Sequence, residues 1–193
     1  MDEKLLSRLE ALSTFGREND GRETDRAKKM LNIAPDTGRL LWILTVATGA
    51  RQVLEIGTSN ALSTLWLADA VRITGGSVVT LERSPAKIEM AKKNLAEAGV
   101  EDRVRIREGL ASDSLKALPG PFDLVFLDAD RPQYLAYLDE IVPRLRRGGH
   151  LVTDNVVSHA AELAAFLDRV KSDPRLFSVT LPVGNGEELT YKL

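Results

Sequence analysis

No cysteine occurs among the 193 residues, and there are only two histidines, His150 and His159. Disulfide frameworks, cysteine nucleophiles and thiolate zinc sites are thereby excluded, and any metal must rest on oxygen donors or on those two imidazoles. An excess of charge of one sign is also lacking, with 26 Lys+Arg against 28 Asp+Glu. That balance gives no global attraction to a phosphate backbone, so nucleic acid ranks behind small molecules as a partner. Long apolar runs are missing too. The longest, Leu40 to Ala47, is interrupted by Thr45, and the opening Met-Asp-Glu-Lys has nothing of a signal peptide. A cytoplasmic location with no membrane partner is expected. What is present, 44% hydrophobic residues in a chain of this length, suits a single domain over residues 1–193.

Leu5, Leu6, Leu9, Leu12 and Phe15 recur at helical spacing, so residues 3 to 15 read as an amphipathic helix. Residues 16 to 29 carry many charges and no large apolar side chain, which predicts a mobile, solvated segment; residues 1–30 thus precede a core of 31–193. An apolar stripe outside that core predicts a homodimer. A second helix is expected from Asp36 to Ala47, ended by Gly49. Thereafter short apolar runs at 53–56, 77–81, 104–106, 124–127 and 151–153 alternate with helical patterns at 61–72, 85–98, 133–145 and 159–171. Strand–helix alternation predicts an α/β fold, a Rossmann-like, doubly wound, mostly parallel sheet. Residues 177–183 and 189–193, joined through Gly184-Asn185-Gly186, read as a C-terminal antiparallel β-hairpin.

In such sheets ligands bind beyond the carboxyl ends of the strands. The first strand runs into Glu55-Ile56-Gly57-Thr58-Ser59-Asn60-Ala61-Leu62-Ser63, a tight turn into a helix whose free N–H groups suit an anion. Glu82 ends the second strand, 25 residues beyond Gly57, near the spacing of a ribose-binding carboxylate; a solvated loop residue is its bland alternative. The fourth strand ends in Asp128-Ala129-Asp130-Arg131 and the fifth in Asp154-Asn155. Carboxylates gathered at neighbouring strand ends repel one another unless a cation is present, and oxygen donors suit Mg²⁺, Mn²⁺ or Ca²⁺. Asp130-x-x-Gln133 also fits a capping box, and Asp154-Asn155 an Asx turn. His150 reads as structural, while His159 follows Asp154-Asn155 closely enough to reach the site or simply starts a helix.

Together, Val53 to Ser59, Glu82, Glu108-Gly109-Leu110-Ala111, Phe126 to Asp130, and Gly148-Gly149 leading into Asp154-Asn155 resemble the cation-dependent class I O-methyltransferases, the catechol and caffeoyl-coenzyme A group. The resemblance implies S-adenosylmethionine as cofactor, bound by Glu55, Gly57, Thr58, Ser63, Glu82, Ala111 and Asp130, with Ser63 on the methionine carboxylate and Glu82 on the ribose. It implies a divalent cation, Mg²⁺ or Mn²⁺, on Asp128, Asp154 and Asn155, and a small hydroxylated, catechol-like acceptor. The sequence departs from the family at Ala61, where glycine is usual, at Ile33, where a hydroxyl is common, and at Arg131, where a lysine is expected. Arginine stays protonated and cannot act as a base, so Arg131 and His159 are the residues to examine for the proton. Two other readings compete: a tRNA hydroxyuridine-type methyltransferase, using Arg144, Arg146 and Arg147 on phosphate, and a cofactor binder without turnover.

Overall fold

β1 (Gln52–Ile56) is apolar on both faces, and both are covered in the computed structural model, which describes residues 1–193. Val53 joins one hydrophobic cluster, while Leu54 and Ile56 join a second on the other side of the sheet. Strand alternation therefore turns Glu55 to the same side as Val53. β2 (Ser77–Glu82), β3 (Val104–Glu108), β4 (Phe122–Leu127) and β5 (Leu145–Thr153) run parallel to β1. β7 (Glu187–Lys192) inserts antiparallel between β5 and β6 (Leu176–Leu181), giving the order β3-β2-β1-β4-β5-β7-β6. The sheet is thus α/β, doubly wound and mostly parallel, with the antiparallel pair at its C-terminal edge.

Four helices cover the face that holds Val53: α1 (Glu3–Arg22), α2 (Pro35–Ala47), α3 (Leu62–Thr74) and α4 (Pro85–Ala98). α5 (Ala111–Ala117), α6 (Tyr134–Arg144) and α7 (Ala160–Ser172) cover the other. No helix is long and apolar enough to cross a membrane.

Three elements differ from the sequence-based expectation. The first helix runs to Arg22 instead of stopping near Phe15, because Gly16 lets it lie against Asn32, whose Nδ2 donates to Leu12 O at 3.0 Å. The charged stretch that follows is pinned to this helix by Asp20, which accepts from Met30 N and Leu31 N, each at 2.7 Å. Leu5, Leu9 and Leu12 pack into the chain's own core beside α3 and α4, while Leu6 and Phe15 of the same stripe stay exposed. Finally, α5 was not foreseen, and β5 begins at Leu145, six residues before the expected start.

Candidate functional site

Strand order reverses between β1 and β4, since β1 is followed by β2 on one side and β4 by β5 on the other. A cavity of about 1020 Å³ opens there, at the carboxyl ends of the strands. Its walls include Gly57 after β1, Glu82 at the end of β2, Gly109 after β3, Asp128 after β4 and Asp154 after β5. Backbone ladders carry these loops into place: Thr58 N donates to Leu81 O, Asp128 N to Ile56 O and Asp154 N to Leu127 O, at 3.0–3.2 Å. Gly57 has φ +106°, and a Cβ there would sit 1.9 Å from Asp128 O, so only glycine fits where the two central strands converge. The four non-glycine residues with positive φ are Leu31, Ser59, Ala61 and Asn155. Three of them line the cavity and Ala61 sits beside it, a concentration of backbone strain that marks functional sites.

On one side of the cavity, the start of α3 presents Asn60 and Ser63. Asn60 is 1% exposed and its Nδ2 finds no acceptor, so a buried donor and a helix N-terminus meet at one place. That pair fits a carboxylate. Glu82 lines the same wall, its Oε2 accepting from Ser59 N and its Oε1 from Arg83 N and Ser84 N, all at 2.9 Å. One lone-pair site, on Oε2, stays open to a hydroxyl donor. Thr58 and Ala111 also line the wall. Glu55 does not: it is fully buried and absent from the lining, with Oε2 accepting from Thr64 of α3 and Thr80 of β2 at 2.5 and 2.6 Å. Burial pushes its carboxyl up to about 7 against the pull of the hydroxyls around it. Its place facing α3 makes Glu55 a positioning residue under the glycine turn instead of a wall contact.

Asp128 and Asp154 stand at adjacent strand ends with Asn155 between them; Asn155 Nδ2 donates to Asp128 Oδ1 at 3.0 Å. Burial, then the Asp154 charge, raises Asp128 well above the usual carboxylate range, and burial likewise raises Asp154. Behind them Glu187, fully buried, accepts from Thr37 Oγ1 at 2.7 Å and is pushed up to about 9 by burial and by Asp154. No group of three or more histidine, aspartate or glutamate side chains is arranged to hold a metal; the donors that converge are two carboxylates and an amide. Glu187 escaped the sequence reading because a Glu-Glu pair in an edge hairpin looks solvated. Its only signal was position, directly after the Gly-Asn-Gly turn.

Arg131 and His159 line the outer part of the cavity. Arg131 Nε donates to Glu162 at 2.7 Å, and His159 Nδ1 lies 2.9 Å from Ser158 Oγ. Asp130 lines the cavity as well and makes no side-chain cap, so the capping box did not form. Eleven of the twelve residues singled out from the sequence therefore share one cavity, Glu55 being the exception. Asp20, Arg26, Met30 and Lys87 line it too, and none of them stood out in the sequence. The arginines that argued for RNA sit elsewhere. Arg144 is held by Glu140 and Leu118 O, Arg146 by Asp123, and both flank the start of β5, roughly 25 Å along the strand from Asp154.

The sequence matches the O-methyltransferase family over residues 17–193. A catechol O-methyltransferase of Mycobacterium tuberculosis is 41% identical over 165 residues, covering 85% of this chain and 73% of that protein. Among solved structures, a cofactor-bound M. tuberculosis protein superposes with TM-score 0.83 at 34% identity, over 99% of this chain and 90% of that one. An O-methyltransferase of tomaymycin synthesis from Streptomyces achromogenes, in complex with S-adenosylmethionine, gives 0.82 at 29%, over 100% and 90%. With a family match over most of its length and cofactor-bound structures of the same fold among its relatives, the chain belongs to the O-methyltransferase family and is an S-adenosylmethionine-dependent enzyme.

Proposed function

We propose that the enzyme methylates one of two adjacent hydroxyls on a small aromatic acceptor, with a divalent cation held by Asp128, Asp154 and Asn155. The observation that carries this reading is the pair of buried, mutually repelling carboxylates opening onto the cavity that also holds Gly57, Ser63 and Glu82. All three donors are hard oxygens, which suits Mg²⁺ or Mn²⁺ above Zn²⁺. When bound, such a cation lowers the pKa of an acceptor hydroxyl and brings its ionisation toward neutral pH. The protein's own residues supply the rest. Asn60 and the α3 N-terminus hold the cofactor carboxylate, Glu82 accepts from a ribose hydroxyl, and the methyl group is thereby aimed across the cavity at the acceptor. Arg131, fixed by Glu162 and always charged, takes no proton. The name of the M. tuberculosis relative supports a catechol as acceptor.

Transfer of a labelled methyl group to catechol is expected with Mg²⁺ and is expected to stop in EDTA. Asp154→Asn should lower turnover by about 100-fold or more, since it removes a charged ligand of the cation that would acidify the acceptor hydroxyl. Full turnover in chelator would sink the cation; transfer to tRNA but to no catechol would sink the acceptor.

A further inference from the structure

The cavity is lined by charges of both signs. Its inner end carries Asp128, Asp154 and Glu82, whereas its outer rim brings together Arg26, Arg131 and His159 from three separate elements. Arg26 lies on the short turn Arg26–Lys28 between α1 and α2, Arg131 follows β4, and His159 precedes α7. Two carboxylates stand near them: Glu162, taken by Arg131 Nε at 2.7 Å, and Asp130, which precedes Arg131 and lines the same cavity. The terminal nitrogens of Arg131 have no hydrogen-bond partner, although the side chain is only 13% exposed. Arg26 has no ion-pair partner at all. Two guanidinium forks with unused N–H groups, beside an imidazole, are a receptor for a planar anion.

The electrostatics agree with that geometry. The Arg131 hydrogen bond, followed by the charges of Arg131, His159 and Arg26, holds the Glu162 carboxyl below its usual range, so all four groups share one neighbourhood. Guanidinium groups with unused N–H donors at the rim, away from the buried Asp128 and Asp154, orient a dipolar acceptor. The hydroxyl end goes in and the acidic end stays out.

We propose that Arg26, Arg131 and His159 form a recognition rim for a carboxylate on the acceptor, and that the preferred substrate class is the o-dihydroxy aromatic acid. The inference rests on the reading that adjacent hydroxyls are seated at Asp128, Asp154 and Asn155. Arg26 is the discriminating residue, because its guanidinium makes no ion pair and lines the cavity from the turn between α1 and α2. A catecholamine would meet like charge at the rim, and a neutral catechol would leave Arg26 without a partner.

The test compares 3,4-dihydroxybenzoate, 3,4-dihydroxybenzamide and 3,4-dihydroxybenzylamine as acceptors, in the full chain and in Arg26→Ala and Arg26→Glu. The acid is expected to exceed the amide in kcat/KM by about tenfold, mainly through KM, with the amine last. A carboxylate also changes the acidity of the phenols, so the decisive quantity is how the acid-to-amide ratio differs between the parent and the variants. Arg26→Ala should bring that ratio down about tenfold and Arg26→Glu should invert the order of acid and amine. Added salt should erode the parent's preference. Turnover of the amide reports that each variant is folded. Equal use of acid and amide by the parent, or a ratio that Arg26→Ala leaves untouched, overturns the rim while the proposed reaction stands. Failure to methylate any of the three, with cofactor binding intact by calorimetry, overturns the proposed acceptor and the rim with it.

Discussion

Gly57 shows how little freedom single residues at the strand ends have. Its φ of +106° and the 1.9 Å separation from Asp128 O mean that Gly57→Ala must displace either the turn into α3 or the end of β4. A loss of at least about 3 kcal/mol is expected in urea unfolding, the scale of combined backbone strain and core overpacking. An unchanged midpoint would show that the turn relaxes freely. Glu82 has two tasks, holding the amides of Ser59, Arg83 and Ser84 and facing the cavity. Glu82→Ala should weaken S-adenosylmethionine binding by roughly 1–3 kcal/mol, the scale of hydrogen bonds to a charged group. Calorimetry that gives parental affinity for this variant would remove Glu82 from the ribose.

Among the elements, the segment from Asn19 to Ile33 is held by polar contacts where the sheet is held by apolar burial. Asn19 Nδ2 donates to Lys28 O at 3.0 Å, Asp20 takes the amides of Met30 and Leu31, and Ser59 Oγ donates to Met30 O at 2.7 Å. Since Met30, Leu31 and Ile33 line the cavity, Asp20→Ala is expected to loosen a wall of the site. Amide exchange at Met30 and Leu31 should quicken, with a stability loss of about 1.5–3 kcal/mol; exchange at the parental rate would show that other contacts suffice. This segment also explains what the sequence left illegible. Strands β1, β2 and β4 were readable because their apolar runs are short and end in Gly57, Glu82 and Asp128, residues whose chemistry stands out. The second half of α1 was not, because its binding to residues 28–32 uses Asn, Asp and Gly, which leave no hydrophobic period. α5 escaped because a seven-residue helix with one buried side chain, Leu115, carries no period either. Glu55 was legible as a special residue but not in its role. Its side of the sheet followed from the Val53–Ile56 alternation, yet only the packed α3 shows that Thr64 lies over it.

At the scale of the whole molecule, the buried carboxylates couple the site to folding. Burial pushes Glu55 up to about 7, and burial with the Asp154 charge pushes Glu187 up to about 9. Both acids hold their protons more tightly folded than unfolded, so their contribution is complete below the ordinary carboxylate range and is lost as pH rises through the folded values. Other groups act outside this window. Asp173, held low first by its hydrogen bond to Arg175, matters only in acid, and His150, lowered by burial, matters at and below its ordinary 6.5. Lys87 and Lys192, lowered by burial from 10.5, act at the alkaline end. Between pH 7 and about 8.5 the protein in chelator is therefore expected to lose thermal stability as pH rises. Glu187→Gln should flatten that slope, because an amide keeps the hydrogen bond to Thr37 and sheds the titration. Mg²⁺ should oppose the decline, since a cation bound at Asp128 and Asp154 favours the ionised carboxylates beside it and binds only the folded chain. Melting midpoints at the two pH values, with chelator and with Mg²⁺, decide the matter. A midpoint that is flat or rising in chelator would mean that Glu187 is already ionised at neutral pH, and that the inner end of the cavity carries its full negative charge without a cation.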